Sequence, residues 1–326
     1  MQIDKTSDVN LLISSFKKTE KIVANQHLKR LKKLHVLGIT IMPTIGTVWA
    51  IFLSFQNQAV NSINLGLLVG MFALTAVGIE VGYHRYFSHS SFQTTKAISI
   101  ALGILGSMAA QGPISYWVGL HRCHHEHSDR LNDPHSPNLH GTVFLAKIKG
   151  LWHSHLGWMF DHEVPNPIYY SPDILKDRAI SKVEQLYFVW LLLGLAIPTV
   201  LGGILTTSWS GAGSGFLWGG AVRLFIGEHL IWTINSVVHV FGSRPFKTKD
   251  NSRNIFWLAI PTIGGAWHNN HHAFPNSAIT GLQWWQLDLG GRLILLLEDL
   301  GLVWNVKVPT QKMIANRLKT STNTQK

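Results

Sequence analysis

Four apolar runs frame this chain, at 35–55, 63–83, 186–206 and 215–235. Each is close to the roughly 20 residues that a membrane-spanning helix needs. They come in pairs: an uncharged connector, 56–62, joins the first two, and a Gly- and Ser-rich one, 207–214, joins the second two. A shorter run, 98–110, predicts a helix that lies in the interface or is buried among the others. A last apolar segment falls at 293–302.

The polar stretches complete the plan. Residues 1–34 carry Lys17, Lys18, Lys21, Lys29, Arg30, Lys32 and Lys33 and read as a basic N-terminal segment, helical around 23–34. Region 152–177 is rich in Pro, Tyr and Asp and reads as a cap. Residues 306–326 read as a polar, frayed tail, leaving 35–305 as the main domain. Lys and Arg concentrate in 1–34, 83–184 and the C-terminal third. By the positive-inside bias these regions are cytoplasmic and the two connectors face away, with both termini on the cytoplasmic side. The expected fold is all-α: a multi-pass integral membrane protein with four transmembrane helices and a cytoplasmic helical cap.

Composition agrees. Charged residues make up 14%, mean hydropathy is +0.14, and 13 tryptophans are available for interface belts. Cys123 is the only cysteine, which rules out an intrachain disulfide and suits a reducing compartment. The net charge of +11 is interleaved with apolar runs, a pattern that fits anionic lipid headgroups or an acidic protein partner rather than nucleic acid.

The candidate chemistry lies in three histidine clusters at the cytoplasmic ends of the runs: His84 and His89; His121, His124 and His125; His268, His271 and His272. In the second and third, offsets of three and four lean the imidazoles to one helix face. His84 and His89 are five apart, about 140° around an ideal helix, so they converge only if the helix ends or bulges between them. Asn235 and His239, four apart, form a further contribution. Nine histidines exceed the four to six ligands one ion accepts and imply two. Imidazole-rich sites suit Fe, Zn or Cu. Two metals beside apolar spans favour O2 activation directed at a lipid chain.

Neutral imidazoles leave two cations uncompensated, so carboxylates are expected to orient the rings. Glu80, Asp129, Asp133 and Glu228 are the candidates, with His135 beside them. Glu80 and Glu228 stand inside apolar runs, where an unpaired carboxylate is costly. His140, His153 and His162 read as structural, His27 and His35 as juxtamembrane, and His127, His155 and His229 as open between support and structure. A metal-binding membrane transporter is a rival reading, but it is expected to place ligands within its spans. A zinc hydrolase leaves five or more histidines unexplained.

The motifs His84-x4-His89, His121-x2-His124-His125, Asn235-x3-His239 and Trp267-His268-Asn269-Asn270-His271-His272-Ala273-Phe274-Pro275 resemble those of the integral-membrane fatty acyl desaturases of the stearoyl type. Asp133-Pro134-His135 and 154–158 match as well. The resemblance spans about 35–305. It implies a mushroom-like fold with two non-haem irons held by the nine histidines, and Asn235 as a ligand through water. It also implies O2 as co-substrate, a bent apolar acyl tunnel, and two electrons from a separate ferredoxin or cytochrome b-type protein. Two departures stand out. Gly119-Leu120 occupy positions where animal acyl-CoA members carry Arg-Asp, which turns the expected substrate towards an acyl-lipid or an acyl-carrier protein and away from acyl-CoA. Gly264-Gly265 stand where a Gly-Glu pair is usual, which keeps an acetylenase, terminal desaturase or hydroxylase outcome open.

Overall fold

The computed structural model describes residues 20–23, 25–56 and 61–318; most of the expected N-terminal segment and residues 319–326 lie outside them. The first apolar run belongs to a longer helix, Gln26–Phe55, capped by the Asn25 side chain on the amides of His27 and Leu28. The expected boundary at residue 34 therefore falls inside one continuous rod. Residues 22–23 form a short strand paired with Val164–Pro165, and Gln93–Thr94 pairs with Val303–Trp304, so the mostly helical chain carries two minimal β-ladders.

Among the described residues, three helices are long and apolar enough to cross a membrane: Gln26–Phe55, Ser62–Ser88 and Tyr187–Thr206. The expected fourth, 215–235, lies in an unbroken helical stretch, 209–236, that packs against all three. It carries buried Arg223 and Glu228 and does not reach the same apolarity. Ile41, Ile45, Val48 and Phe52 on the first helix and Phe188, Leu192, Val200 and Ile204 on the third are exposed. Such apolar faces are what a lipid phase covers.

The Tyr187 end of the third rod meets the His35 part of the first. Tyr187 Oη lies 3.2 Å from His35 Nε2, and Val36, Leu120, Trp158 and Trp232 share a small core there. The short run predicted at 98–110 forms Lys96–Ser107, buried against the end of the second rod. The approach is close enough that a Cβ on Gly78 would overlap the backbone at Leu105 and Gly106. The C-terminal stretch is not frayed through residue 318. Lys307 N donates to Ser91 O at 2.8 Å, and the helix Gln311–Arg317 buries Ile314 against Phe246 and Phe274.

Candidate metal centre

The second rod changes pitch where the first two histidines sit. Residues Gly78–Ser88 form a π-helix, and His89 N donates to His84 O five residues back at 3.3 Å. That wider turn brings both rings to the same side, with centroids 5.2 Å apart. The bulge expected from their spacing is present, as is common at functional sites. Arg85, between them, is fully buried and forks onto Asp288 at 2.8 and 3.1 Å, tying this turn to the segment after the third cluster.

His121, His124 and His125 ride on the helix Ile114–His127. His268, His271 and His272 sit on a single short turn, His268–Ala273, held by the two asparagines between them. Asn254 Oδ1 accepts from the amides of Asn269 and Asn270, while the Asn270 side chain reaches Thr280 O and Gln286 Oε1. Both asparagines are buried and satisfied, so the turn is rigid.

The rings assemble into two groups. His84, His89, His121 and His271 form one; His124, His239, His268 and His272 form the other. His125 lies between them, grouped with His271 and His272. The second and third clusters thus each serve both groups, a fan rather than the single face expected from spacing.

The Nε2 atoms converge: His84 to His271 at 3.1 Å, His89 to His121 at 2.7 Å, His125 to His121 at 3.0 Å and to His271 at 2.9 Å, His239 to His268 at 3.0 Å. Four Nδ1 atoms face carboxylates. His84 donates to Glu80 at 3.0 Å, His124 to Asp133 at 2.9 Å, His239 to Asp129 at 3.0 Å and His272 to Asp250 at 3.0 Å. An imidazole that donates from Nδ1 presents a bare lone pair at Nε2. The Nε2 atoms of His124 and His272 are buried with no partner. Lone pairs pointed at one another in a buried space repel unless a cation lies among them. Imidazoles about 2.1 Å from a shared ion stand roughly 3 Å apart, which is the spacing here. Four carboxylates also balance the charge of two divalent ions. The donor set therefore fits a pair of metal ions.

Electrostatics keep most of the donors in the binding form. Burial and the neighbouring imidazoles push His89, His121, His125, His268 and His271 well below the ordinary imidazole range. Burial likewise brings His272 down to about 4, against the pull of Asp250. Burial also acts on His124, but the Asp133 charge outweighs it and raises the group. Burial opposes ionisation of Asp129, Asp133 and Asp250, yet the bonds to their histidines hold all three well below the usual carboxylate range. Neutral imidazole and ionised carboxylate are the states that a metal ion selects.

Of the other expected residues, Asp129 and Asp133 share one knot. Asp129 sits in the left-handed region, tolerable for Asp, and accepts from Ser136 Oγ, Asn138 Nδ2 and Asn251 N as well as from His239. Its own amide donates to Asp133 at 2.7 Å. His135 stacks near His124, with centroids 4.4 Å apart. Asn235 lines an apolar cavity together with His121 and His135. Glu228 is a correction: among the described residues it bonds to no histidine and is buried near Arg223. It stands seven residues before Asn235, about 10 Å further along the helix, beyond reach of the rings. His155 and His229 bond to each other at 3.0 Å, and His155 reaches Ser236, all away from the two groups.

Asp250 was not among the expected carboxylates. It lies in a loop 22 residues before His272 with no periodicity to mark it. Asp250→Asn keeps the shape and loses the charge facing His272, and is expected to weaken metal binding about 10–100-fold, as read by metal competition titration. Unchanged affinity would remove Asp250 from the centre.

The largely apolar cavity beside the metal groups is lined by Val36, Ile39, Tyr116, Trp117, Trp158 and Ile231, with Lys32, His35, Gln111, His121, His135 and Asn235 also in its wall. Trp117 lies nearly parallel to His121 at 5.1 Å. The sequence model of the family described as "Fatty acid desaturase" matches residues 61–298. The chain belongs to the fatty acid desaturase family. The desaturase is 53% identical over 296 residues to the "Hex-5-enoyl-[acyl-carrier protein] acetylenase" of Moorena producens, covering 90% of this chain and 92% of that one. It is 38% identical over 252 residues to the "Delta-9 desaturase-like 4 protein" of Arabidopsis thaliana, covering 77% and 78%. It is 37% identical over 270 residues to the "sn-1 stearoyl-lipid 9-desaturase" of Synechocystis, covering 81% and 78%. It is thus an oxidoreductase of lipid metabolism, as its motifs led us to expect.

Proposed function

We propose that this desaturase introduces a cis double bond into a fatty acyl chain, using O2 and a pair of non-haem irons. The observation that carries the reading is the convergence of imidazole nitrogens in two groups beside a largely apolar cavity, with the Nε2 atoms of His124 and His272 buried and unpartnered. His84, His89, His121 and His271 hold one ion, and His124, His239, His268 and His272 the other. His125 stands between them, and Asn235 binds through water. The reaction balances as one O2, two external electrons and two protons consumed, two hydrogens removed from adjacent carbons, and two waters formed. The irons with O2 supply the oxidant that an unactivated C–H bond requires.

The protein's share of the work is placement. The aromatic and aliphatic part of the cavity wall fixes which carbons lie beside His121 and Asn235. Glu80, Asp129, Asp133 and Asp250 hold ring tautomers and orientation. We place four spans in the membrane, with 209–236 as the fourth, shielded by the other three. The termini and the centre then face the cytoplasm. The substrate is an acyl chain on lipid or on an acyl-carrier protein, since Gly119-Leu120 offer no charge for a CoA group. A separate one-electron protein completes the reaction.

A second reading is favoured by the Moorena relative: the same centre removes hydrogens from an alkene and leaves an alkyne. Gas chromatography and mass spectrometry of acyl chains from a bacterial host separate the two. A new monounsaturated chain supports desaturation, and an alkyne supports the second reading. Purified, iron-loaded protein that yields neither with acyl-lipid or acyl-carrier substrates and a chemical reductant would overturn both.

A further inference from the structure

A cleft of about 670 Å³ opens beside the centre on residues distinct from those of the acyl cavity. Its lining includes His89, His125 and His272, while His121, His135 and Asn235 line the acyl cavity. His89 and His125 are half-buried there, whereas the His272 side chain is buried against Asp250. The cleft is therefore a solvent approach to His89 and His125 that bypasses the acyl cavity.

Five cations line it: Arg122, Arg130, Lys247, Lys249 and Arg317. Arg122 is neutralised by a fork onto Asp173 at 2.7 and 2.9 Å. Among the described residues, Arg130, Lys247, Lys249 and Arg317 have no carboxylate within ion-pair distance, and all four are exposed. Arg317 stacks over Phe274 at 4.8 Å, which pins one side of the rim. The only acid in the lining is Asp250, whose carboxylate already faces His272. These rim charges come from the 247–249 loop, the C-terminal helix and the turn after His127, and Lys247 N donates to Arg317 O at 3.1 Å, which holds the first two side by side. Concentrating unpaired positive charge around an open side of the centre creates a steering field for an acidic partner.

We propose that this cleft is the docking site of an acidic one-electron carrier protein. The inference rests on the reading that the centre draws two electrons from outside, one per encounter. A docked acidic face places the carrier's redox group beside His89 and His125. The oxidised carrier must then leave so that a second reduced one can follow. Exposed charges suit this, because they speed association without burying a large, slowly dissociating interface.

The test uses the full-length, iron-loaded protein in detergent, with an acidic [2Fe–2S] ferredoxin as probe. Binding is measured at low and high salt, and turnover is measured in parallel with dithionite. The triple variant Lys247→Glu/Lys249→Glu/Arg317→Glu is expected to bind the ferredoxin about tenfold or more weakly and to lose most of the salt dependence. Its dithionite-driven turnover should stay at the wild-type level. A control, Lys176→Glu/Lys182→Glu, should behave as wild type. Equal ferredoxin affinity in wild type and triple variant would overturn the proposal, as would wild type that does not bind. So would a triple variant that keeps the ferredoxin but loses an acyl-carrier protein or anionic vesicles, because the cleft would then belong to that occupant. Wild type inactive with dithionite would count instead against the proposed reaction, and the binding data would stand apart from it.

Discussion

His271→Ala is expected to abolish product formation, to below about one part in a thousand of wild type, while the protein still inserts in the membrane. His271 touches both halves of the centre: its Nε2 lies 3.1 Å from that of His84 and 2.9 Å from that of His125, and it is grouped with His272. Removing it opens the one group and loosens the link to the other. Bound iron should fall from two per chain to one or none, measured by elemental analysis of protein purified in detergent. His140→Ala is the control, since its ring neighbour is His153 at 4.9 Å and it lies outside both groups. Normal product from His271→Ala would sink the ligand assignment, and an equally dead His140→Ala would sink the division of the histidines.

Asp288→Ala is expected to be the most destabilising single change outside the metal ligands. Asp288 holds Arg85 through both carboxylate oxygens, and it also accepts from the amides of Thr280 and Gly291. Both side chains are almost fully buried, at 1% and 3% exposure. Breaking such a pair leaves a buried guanidinium uncompensated, a loss of about 3–5 kcal/mol. Gly264, at φ +114°, stands so close that a Cβ there would overlap the carboxylate, so the site has no room to repack. The expected readout is a clear fall in detergent melting temperature, with Arg85→Met/Asp288→Asn recovering part of it. An Asp288→Ala protein that melts like wild type would show that the pair does not hold the π-helical turn.

Much of the site was legible because histidine spacing survives in one dimension. The fivefold step from His84 to His89 called for a bulge, and the π-helix supplies it. Glu80 was found because a carboxylate in an apolar run needs a partner, and His84 is one turn away. The same logic misplaced Glu228, whose depth along the helix, not its face, keeps it from the rings. Asp250 and the Arg85–Asp288 fork stayed hidden because they join segments 22 and 203 residues apart through loops without periodicity. The tail was misread because its polar composition conceals Ile314, a buried residue that docks its helix.

Gly265 ties the departure in the third motif to the structure. A Cβ there would come within 2.5 Å of Glu80 Oε1, so the carboxylate that bonds His84 occupies the space a side chain at 265 would take. A glycine at this position and an acid on the helix are thus sterically matched.

Iron stoichiometry tests the central claim most directly. The purified full-length chain, loaded anaerobically with ferrous iron and freed of excess, is measured for iron per polypeptide beside His271→Ala. Two irons in the wild type, falling to one or none in the variant, is the result this account predicts. One iron or none in the wild type, or two retained by the variant, would contradict it.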